Sequence, residues 1–195
     1  MKPIKLFFFL TLLVSLACTT SDKTQFENTE KIAKVTHWDS RCVGSCAIVT
    51  FIISSILSQN TFPAKEEIIA VGEKYDYRIK PFVEKSFSAN INNLELDEQY
   101  SIGYTLKALS AGLWVYFNSC DFESGILKII NEGGDADTNA CVAGSILGAK
   151  FGYKSIPKKY IDGLINRIIL ENTGSTTKAL PNSSIMAATS TTPPP

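Results

Sequence analysis

Two long stretches of this chain are apolar on nearly every side, and they restrict it to folds with helices at the centre of the core. Asp39 and Ser40 are typical of a helix N-terminus, and the following residues predict a helix to about Ser58. The stretch from Tyr104 to Phe117 has the same character. A helix that is apolar all round belongs inside a domain. Because no segment alternates polar and apolar residues for long, we predict an all-α helical bundle.

Shorter helices are predicted around this apolar pair from capping residues and prolines. The expected boundaries are Pro63 at the start of one helix, Asp121 to about Asn131, Asp137 or Thr138 to Phe151, and a last helix after Pro157.

Composition excludes several classes of protein. The chain has 195 residues, of which 45% are hydrophobic and 19% charged, so it is not a disordered polypeptide. Its formal net charge of zero offers no electrostatic surface for DNA or RNA. No apolar run approaches the ~20 residues of a membrane-spanning helix, so we expect no transmembrane helix.

The N-terminus has the pattern of an export signal. Lys2 and Lys5 precede the apolar segment Leu6–Leu16, which is followed by small residues, as in a signal peptide over residues 1–17. Cleavage there would leave Cys18 first, as in a bacterial lipoprotein. We therefore expect an exported protein, either secreted or anchored through Cys18. The alternative is that this segment is a buried N-terminal helix.

The C-terminal end differs in composition from the rest of the chain. Residues 173–195 are dominated by Thr, Ser, Pro and Ala and show no apolar period. Such a segment gains too little from burial to offset its ordering entropy, so we predict a disordered tail. The predicted helical domain then spans residues 18–172.

The five cysteines do not form a disulfide framework or a zinc motif. Their neighbours are apolar, and we expect free, buried thiols. The cysteines of the predicted domain beyond its first residue are Cys42, Cys46, Cys120 and Cys141.

The most informative segment is an acidic loop that leads into a helix of small residues. Gly133 and Gly134 permit a tight turn, after which Asp135 and Asp137 can direct two carboxylates toward one point beside the hydroxyl of Thr138. Hard oxygen ligands of this kind suit Mg²⁺ or Ca²⁺. The alternative is an ordinary helix N-cap followed by a solvated turn.

A second candidate segment runs from Thr36 to Arg41 and contains His37, the only histidine of the chain. It places an imidazole, an acid, a base and an aromatic ring just before a buried helix. His37 could face a ligand there, or it could be structural.

Together these segments resemble the ADP-ribosylglycohydrolase family, whose members contain Gly-Gly-Asp-x-Asp-Thr before such a helix. The Thr-His-x-Asp-x-Arg segment is similar to the start of the family's histidine-containing helix. The order of the intervening segments also follows the family, and the resemblance covers about residues 33–170.

The resemblance implies an all-α fold with a binuclear Mg²⁺ site at the base of an ADP-ribose cleft. By motif match, Asp135, Asp137 and Thr138 would be metal ligands, and His37 would lie at the substrate. The family hydrolyses the bond between ribose and a modified side chain or small acceptor. The expected substrates are therefore an ADP-ribosylated protein or a small ADP-ribosyl compound.

The sequence also departs from the family pattern. Family members contain an earlier Gly-Asp-Ala-type loop and a Thr-Asp-Asp motif that supply the other metal ligands, and this sequence contains no Thr-Asp-Asp. We therefore expect a domain truncated on its N-terminal side, an incomplete metal site and impaired hydrolysis, with no catalytic residue assigned. The chain could be a gene fragment, could receive the missing half-site from a partner chain, or could be a non-catalytic exported module that binds ADP-ribose or a protein.

Overall fold

The computed structural model describes residues 22–165, 167 and 168. The predicted leader and tail lie outside these residues. The described part is helical and contains no strand, which confirms the predicted all-α class. Its α-helices are α1 Asp22–Thr36, α2 Ser40–Gln59, α3 Lys65–Glu73, α4 Ile79–Lys85, α5 Thr105–Asn118, α6 Phe122–Asn131, α7 Ala136–Phe151 and α8 Lys158–Asp162.

The central helix α2 forms where the sequence predicts it. A carboxylate oxygen of Asp39 accepts a hydrogen bond from the Arg41 amide at 2.9 Å, which caps the first turn. The helix ends at Asn60, whose φ of 51° is left-handed. Ile48 and Ile52 are fully buried. The predicted helix to about Ser58 is confirmed within one residue.

The expectation that no segment could span a membrane is wrong on length and composition, because α2 is long and apolar enough to cross one. However, 67% of its most apolar stretch is buried against the rest of the protein. This burial is typical of a core helix, as its all-round apolar character predicts.

Helices α5 and α7 pack against each other beside α2. Leu106, Leu109 and Leu113 of α5 are essentially inaccessible to solvent. The backbones approach closely at Gly112, where an added β-carbon would lie 2.8 Å from Cγ1 of Val142 on α7. Helix α6 begins as predicted, because Asp121 accepts a hydrogen bond from the Ser124 amide at 2.8 Å. It then packs against α7.

Some boundaries differ from the prediction. Helix α3 begins at Lys65 rather than at Pro63, because Glu67 accepts a hydrogen bond from the amide of Ala64 and fixes the N-terminus there. Helix α7 begins at Ala136, one residue before the earliest predicted start.

Helices α1 and α4 were not predicted. The buried side of α1 consists of Gln25, Thr29 and Ala33, so it shows no apolar period. Helix α4 contains Pro81 in its first turn, which resembles a helix breaker in the sequence. A proline is tolerated there because the first amides of a helix have no intrahelical partner.

Helix α8 begins after Pro157, as predicted for the last helix. It belongs to a second compact unit, which begins at Pro157. Within that unit, Arg167 donates a hydrogen bond to Asp162 at 2.6 Å.

The described cysteines are free, as predicted, but they are less buried than expected. Cys42, Cys46 and Cys141 are partly buried, and Cys120 is exposed. Cys120 is exposed because it lies in the short connection between α5 and α6 rather than within a helix.

Candidate functional site

The acidic loop forms a compact turn at the start of α7. Gly133 and Gly134 have φ values of 73° and 62°, a left-handed backbone that favours glycine. Asp135 is the N-cap residue, and its carbonyl accepts a hydrogen bond from the Asn139 amide at 2.9 Å. The turn therefore places the side chains of Asp135 and Asp137 at the N-terminus of α7.

The structure brings the three predicted ligand residues together. The Asp135 and Asp137 carboxyl groups lie close enough to shift each other's pKa, and Thr138 also acts on the pKa of Asp135. The Thr138 amide donates to Oδ1 of Asp137 at 3.0 Å. Asp135 is partly buried, whereas Asp137 is exposed. This arrangement supplies two carboxylates and one hydroxyl on a single helical turn.

The pKa values of the two carboxyl groups are shifted in opposite directions. Burial raises the pKa of Asp135, and the neighbouring Asp137 carboxylate raises it further. The pKa of Asp137 is lowered, mainly by the neighbouring Asp135 side chain and then by the hydrogen bond from the Thr138 amide. Two neighbouring carboxyl groups can share a cation, and their hard oxygen donors suit Mg²⁺.

The donor set found here is small. Within residues 22–165, 167 and 168, no three His, Cys, Asp or Glu side chains are grouped closely enough to hold a metal ion. The residues of the acidic loop therefore fit part of a Mg²⁺ coordination shell, which normally takes about six oxygen ligands.

The start of α2 lies against the start of α5. Nη1 of Arg41 donates a hydrogen bond to the hydroxyl of Tyr104, the N-cap residue of α5, at 3.3 Å. The side chain of Cys42 also lies near Thr105 in the first turn of α5. Sequence reasoning did not identify the contact between Arg41 and Tyr104, because 63 positions separate the two residues.

The same end of α5 lies against the acidic loop. Gly103 has a φ of 79°, and an added β-carbon there would lie 3.7 Å from Oδ2 of Asp135. The N-terminus of α5 therefore lies against both the start of α2 and the acidic loop at the start of α7. Helix N-termini present free amides and partial positive charge, so this region favours anionic groups such as phosphates.

His37 lies in the linker between α1 and α2. Its side chain is exposed, and Nδ1 lies 3.0 Å from Oγ1 of Thr36. It is the neighbouring Arg41, rather than His37, that connects this segment to α5. A role of His37 in substrate binding stays a prediction.

Two aspartate–arginine pairs hold the start of α2 in place. The Arg41 guanidinium lowers the pKa of Asp39 to about 2 through a 2.5 Å ion pair. Asp76, in the linker between α3 and α4, is paired with Arg78 at 2.7 Å. The hydroxyl of Ser40 donates to Asp76 at 2.5 Å. These contacts attach the first turn of α2 to the α3–α4 linker.

Two surface depressions are formed by other parts of the described chain. One is lined by Glu84, Lys85, Ser88, Asn93 and Glu95, and another by Phe26, Glu27, Glu30, Lys74 and Tyr75. Neither includes Asp135 or Asp137.

The family model for ADP-ribosylglycohydrolase matches residues 9–190, beyond the residues 33–170 that the motifs suggested. The chain belongs to the ADP-ribosylglycohydrolase family.

Similar proteins support this assignment. The chain is 27% identical to ADP-ribosylarginine hydrolase Tri1 of Serratia proteamaculans over 158 residues, which cover 75% of the chain and 38% of the relative. It is 32% identical to an uncharacterized protein of Archaeoglobus fulgidus over 146 residues, or 71% of the chain and 46% of the relative. It is 34% identical over 64 residues to ADP-ribosyl-[dinitrogen reductase] glycohydrolase of Rhodospirillum rubrum, covering 33% of the chain and 22% of the relative.

A solved ADP-ribosylglycohydrolase-related protein complex contains a chain with the same fold. The two chains superpose with a TM-score of 0.67 at 25% identity, over 84% of this chain and 56% of the other. The chain spans less than half the length of the three curated relatives described above.

Proposed function

We propose that this polypeptide is part of an ADP-ribosyl hydrolase and holds Mg²⁺ through Asp135, Asp137 and Thr138. The observation that supports this most directly is the pair of neighbouring carboxyl groups at the N-terminus of α7, beside Gly103 at the start of α5. The names of two relatives specify ADP-ribosylarginine and ADP-ribosyl-dinitrogen reductase. The proposed substrates are accordingly an ADP-ribosylated protein side chain or a small ADP-ribosyl compound.

The chemistry of the loop fits this role. Mg²⁺ at this loop would orient the ribose hydroxyls and a water, and would stabilise charge at the breaking bond. The residues of the chain would hold the cation with carboxylate and hydroxyl oxygens, while the helix N-termini favour the diphosphate. His37 is proposed on the substrate side because its segment resembles the start of the family's histidine-containing helix, and it lies three residues before α2 begins at Ser40.

We further propose that the 195-residue polypeptide alone is a poor catalyst. Two carboxylates and a hydroxyl leave about half of a Mg²⁺ shell to water, which supplies oxygens but no negative charge. Losing one electrostatic donor in an active site commonly costs about 10²–10³ in rate, and a whole cation could be lost here. The missing ligands would then come from further sequence or from a partner chain.

The alternative is a non-catalytic module that binds ADP-ribose or a protein partner. The observation that favours it is that, within the described residues, no third His, Cys, Asp or Glu side chain is grouped with the pair. Calorimetry with free ADP-ribose detects this function independently of turnover.

The test is hydrolysis of ADP-ribosyl-arginine and ADP-ribosyl-serine peptides in Mg²⁺ buffer. Asp135→Asn/Asp137→Asn is the blank, and Glu66→Gln is the matched control, because that exposed carboxylate lies in the first turn of another helix, α3. We expect turnover close to the blank, together with weak Mn²⁺ binding that only the double variant abolishes. Turnover well above the blank would show that the site is complete. Mn²⁺ binding that survives in the double variant would refute the assignment of the ligands.

A further inference from the structure

The loop of residues 95–103 contacts the acidic loop at both of its ends. Near its start, an added β-carbon at Gly134 would overlap the carbonyl oxygen of Leu96 and lie 3.1 Å from Cα of Asp97. At its end, Gly103 lies against Asp135. The position of the carboxylate pair therefore depends on where the 95–103 loop lies.

Two kinds of contact fix the first half of this loop. Leu96 is 1% exposed and anchors the loop in the core. Lys107 of α5 is 6% exposed, and its amine donates hydrogen bonds to the carbonyl of Glu95 and, at 3.0 Å, to the carboxylate of Glu98. These two partners lie on either side of Leu96 and Asp97, the residues that contact Gly134.

A buried lysine at this position is costly on general grounds. Burial of an ammonium group removes its hydration, and a cation in the first turn of a helix opposes the helix dipole. The hydrogen bonds to Glu95 and Glu98 compensate for both effects. An apolar side chain could occupy the position without this cost, but it could not hold the 95–98 backbone.

We infer that Lys107 is a positioning residue for the Asp135–Asp137 pair, acting through the 95–103 loop on Gly134. The positioning role itself is independent of the proposed function, whereas an effect of Lys107 on metal affinity rests on it. Lys107 fixes the segment from Glu95 to Glu98, this segment holds the Leu96 carbonyl against Gly134, and the turn at Gly134 sets the direction of the following carboxylates.

The chain provides a matched control in Lys150. Its amine is also partly buried and donates hydrogen bonds to two main-chain carbonyls, those of Tyr116 at 2.7 Å and Ser119 at 2.9 Å. These carbonyls lie at the C-terminal end of α5, opposite the end that contains Lys107. Lys107→Met and Lys150→Met therefore remove the same kind of contact at the two ends of one helix.

The experiment records the amide chemical shifts of Gly134 and Asp135 by NMR and measures Mn²⁺ affinity from paramagnetic broadening. In Lys107→Met we expect both amides to shift and Mn²⁺ affinity to fall about tenfold, the lower range seen when support around metal ligands is removed. In Lys150→Met we expect lower stability with unchanged shifts and affinity. Equal effects of the two variants would overturn the inference.

The two proposals fail in different ways. If the unaltered chain binds no Mn²⁺, the proposed metal site is wrong, while the Gly134 and Asp135 shifts still test the positioning role. If Lys107→Met does not fold, Glu98→Gln replaces it, because the Glu98 side chain is 52% exposed and its loss leaves the bond to the Glu95 carbonyl. We expect a smaller shift at Gly134 in that variant, and an unchanged Gly134 amide would overturn the inference.

Discussion

Substitution of Gly134 by alanine tests the most crowded contact of the acidic loop. Gly134 has a φ of 62°, and the left-handed conformation costs a residue with a β-carbon about 1–2 kcal/mol. The added methyl group would also overlap the Leu96 carbonyl oxygen, and relief of such overpacking typically costs about 1–3 kcal/mol. We expect Gly134→Ala to lower the free energy of unfolding by about 2–5 kcal/mol, the sum of the two costs.

Gly133 provides the control for this substitution. Its φ of 73° carries the same conformational cost, but an added β-carbon there would meet no atom within 4 Å. Gly133→Ala should therefore lose only about 1–2 kcal/mol. The difference between the two variants measures the contact with Leu96.

Urea denaturation followed by circular dichroism measures both losses. Thermal unfolding gives a second estimate, since each kcal/mol corresponds to about 2–4 °C in Tm for a chain of this size. Equal destabilisation of Gly133→Ala and Gly134→Ala would refute the reasoning. It would mean that the 95–103 loop moves away without cost and does not constrain the acidic loop.

Three further substitutions or labelling experiments test other parts of the structure. The Arg78 guanidinium holds the pKa of Asp76 well below its usual range. The Asp76 carboxylate therefore stabilises the fold fully at pH values above its unfolded pKa of ~4. This stabilisation is lost as the pH falls through the folded pKa. Asp76→Asn should lower the free energy of unfolding by about 2 kcal/mol at pH 7 and should flatten the acid side of its pH profile. An unchanged profile would contradict this. Burial raises the pKa of Cys46 to about 12, so iodoacetamide at pH 8 should label the exposed Cys120 before Cys46, as peptide mapping would show. Gly148→Ala meets no neighbouring atom inside α7 and should raise the free energy of unfolding in urea by about 0.5–1 kcal/mol; a loss would contradict the open space there.

Local sequence patterns predicted the features that depend on neighbouring residues. The caps at Asp39 and Asp121 and the apolar helices between them are determined within a few positions, and the structure confirms them. The Asp135–Asp137 pair also forms within one turn, so its proximity could be predicted from spacing alone. Its metal-binding role stays a prediction.

Features that depend on distant residues could not be predicted in this way. The contact of Leu96 with Gly134 joins two loops, and nothing in either loop specifies the other. Lys107 is a charged residue within an apolar stretch, and only the fold shows what its amine binds. Helix α1 was missed because Gln25 and Thr29 are buried through hydrogen bonds to main-chain carbonyls rather than through apolar packing.

The contacts of the α5 N-terminus with α2 and with the acidic loop have a consequence for the order of events in folding. Each helix is local and can form early, whereas the contacts of Arg41 with Tyr104 and of Leu96 with Gly134 close long stretches of chain. A compact state that retains the helices but loses fixed side-chain packing would keep its far-ultraviolet helical signal and still lack the arranged carboxylates. Helical content therefore reports chain collapse in this protein, while the environment of the acidic loop reports the native state.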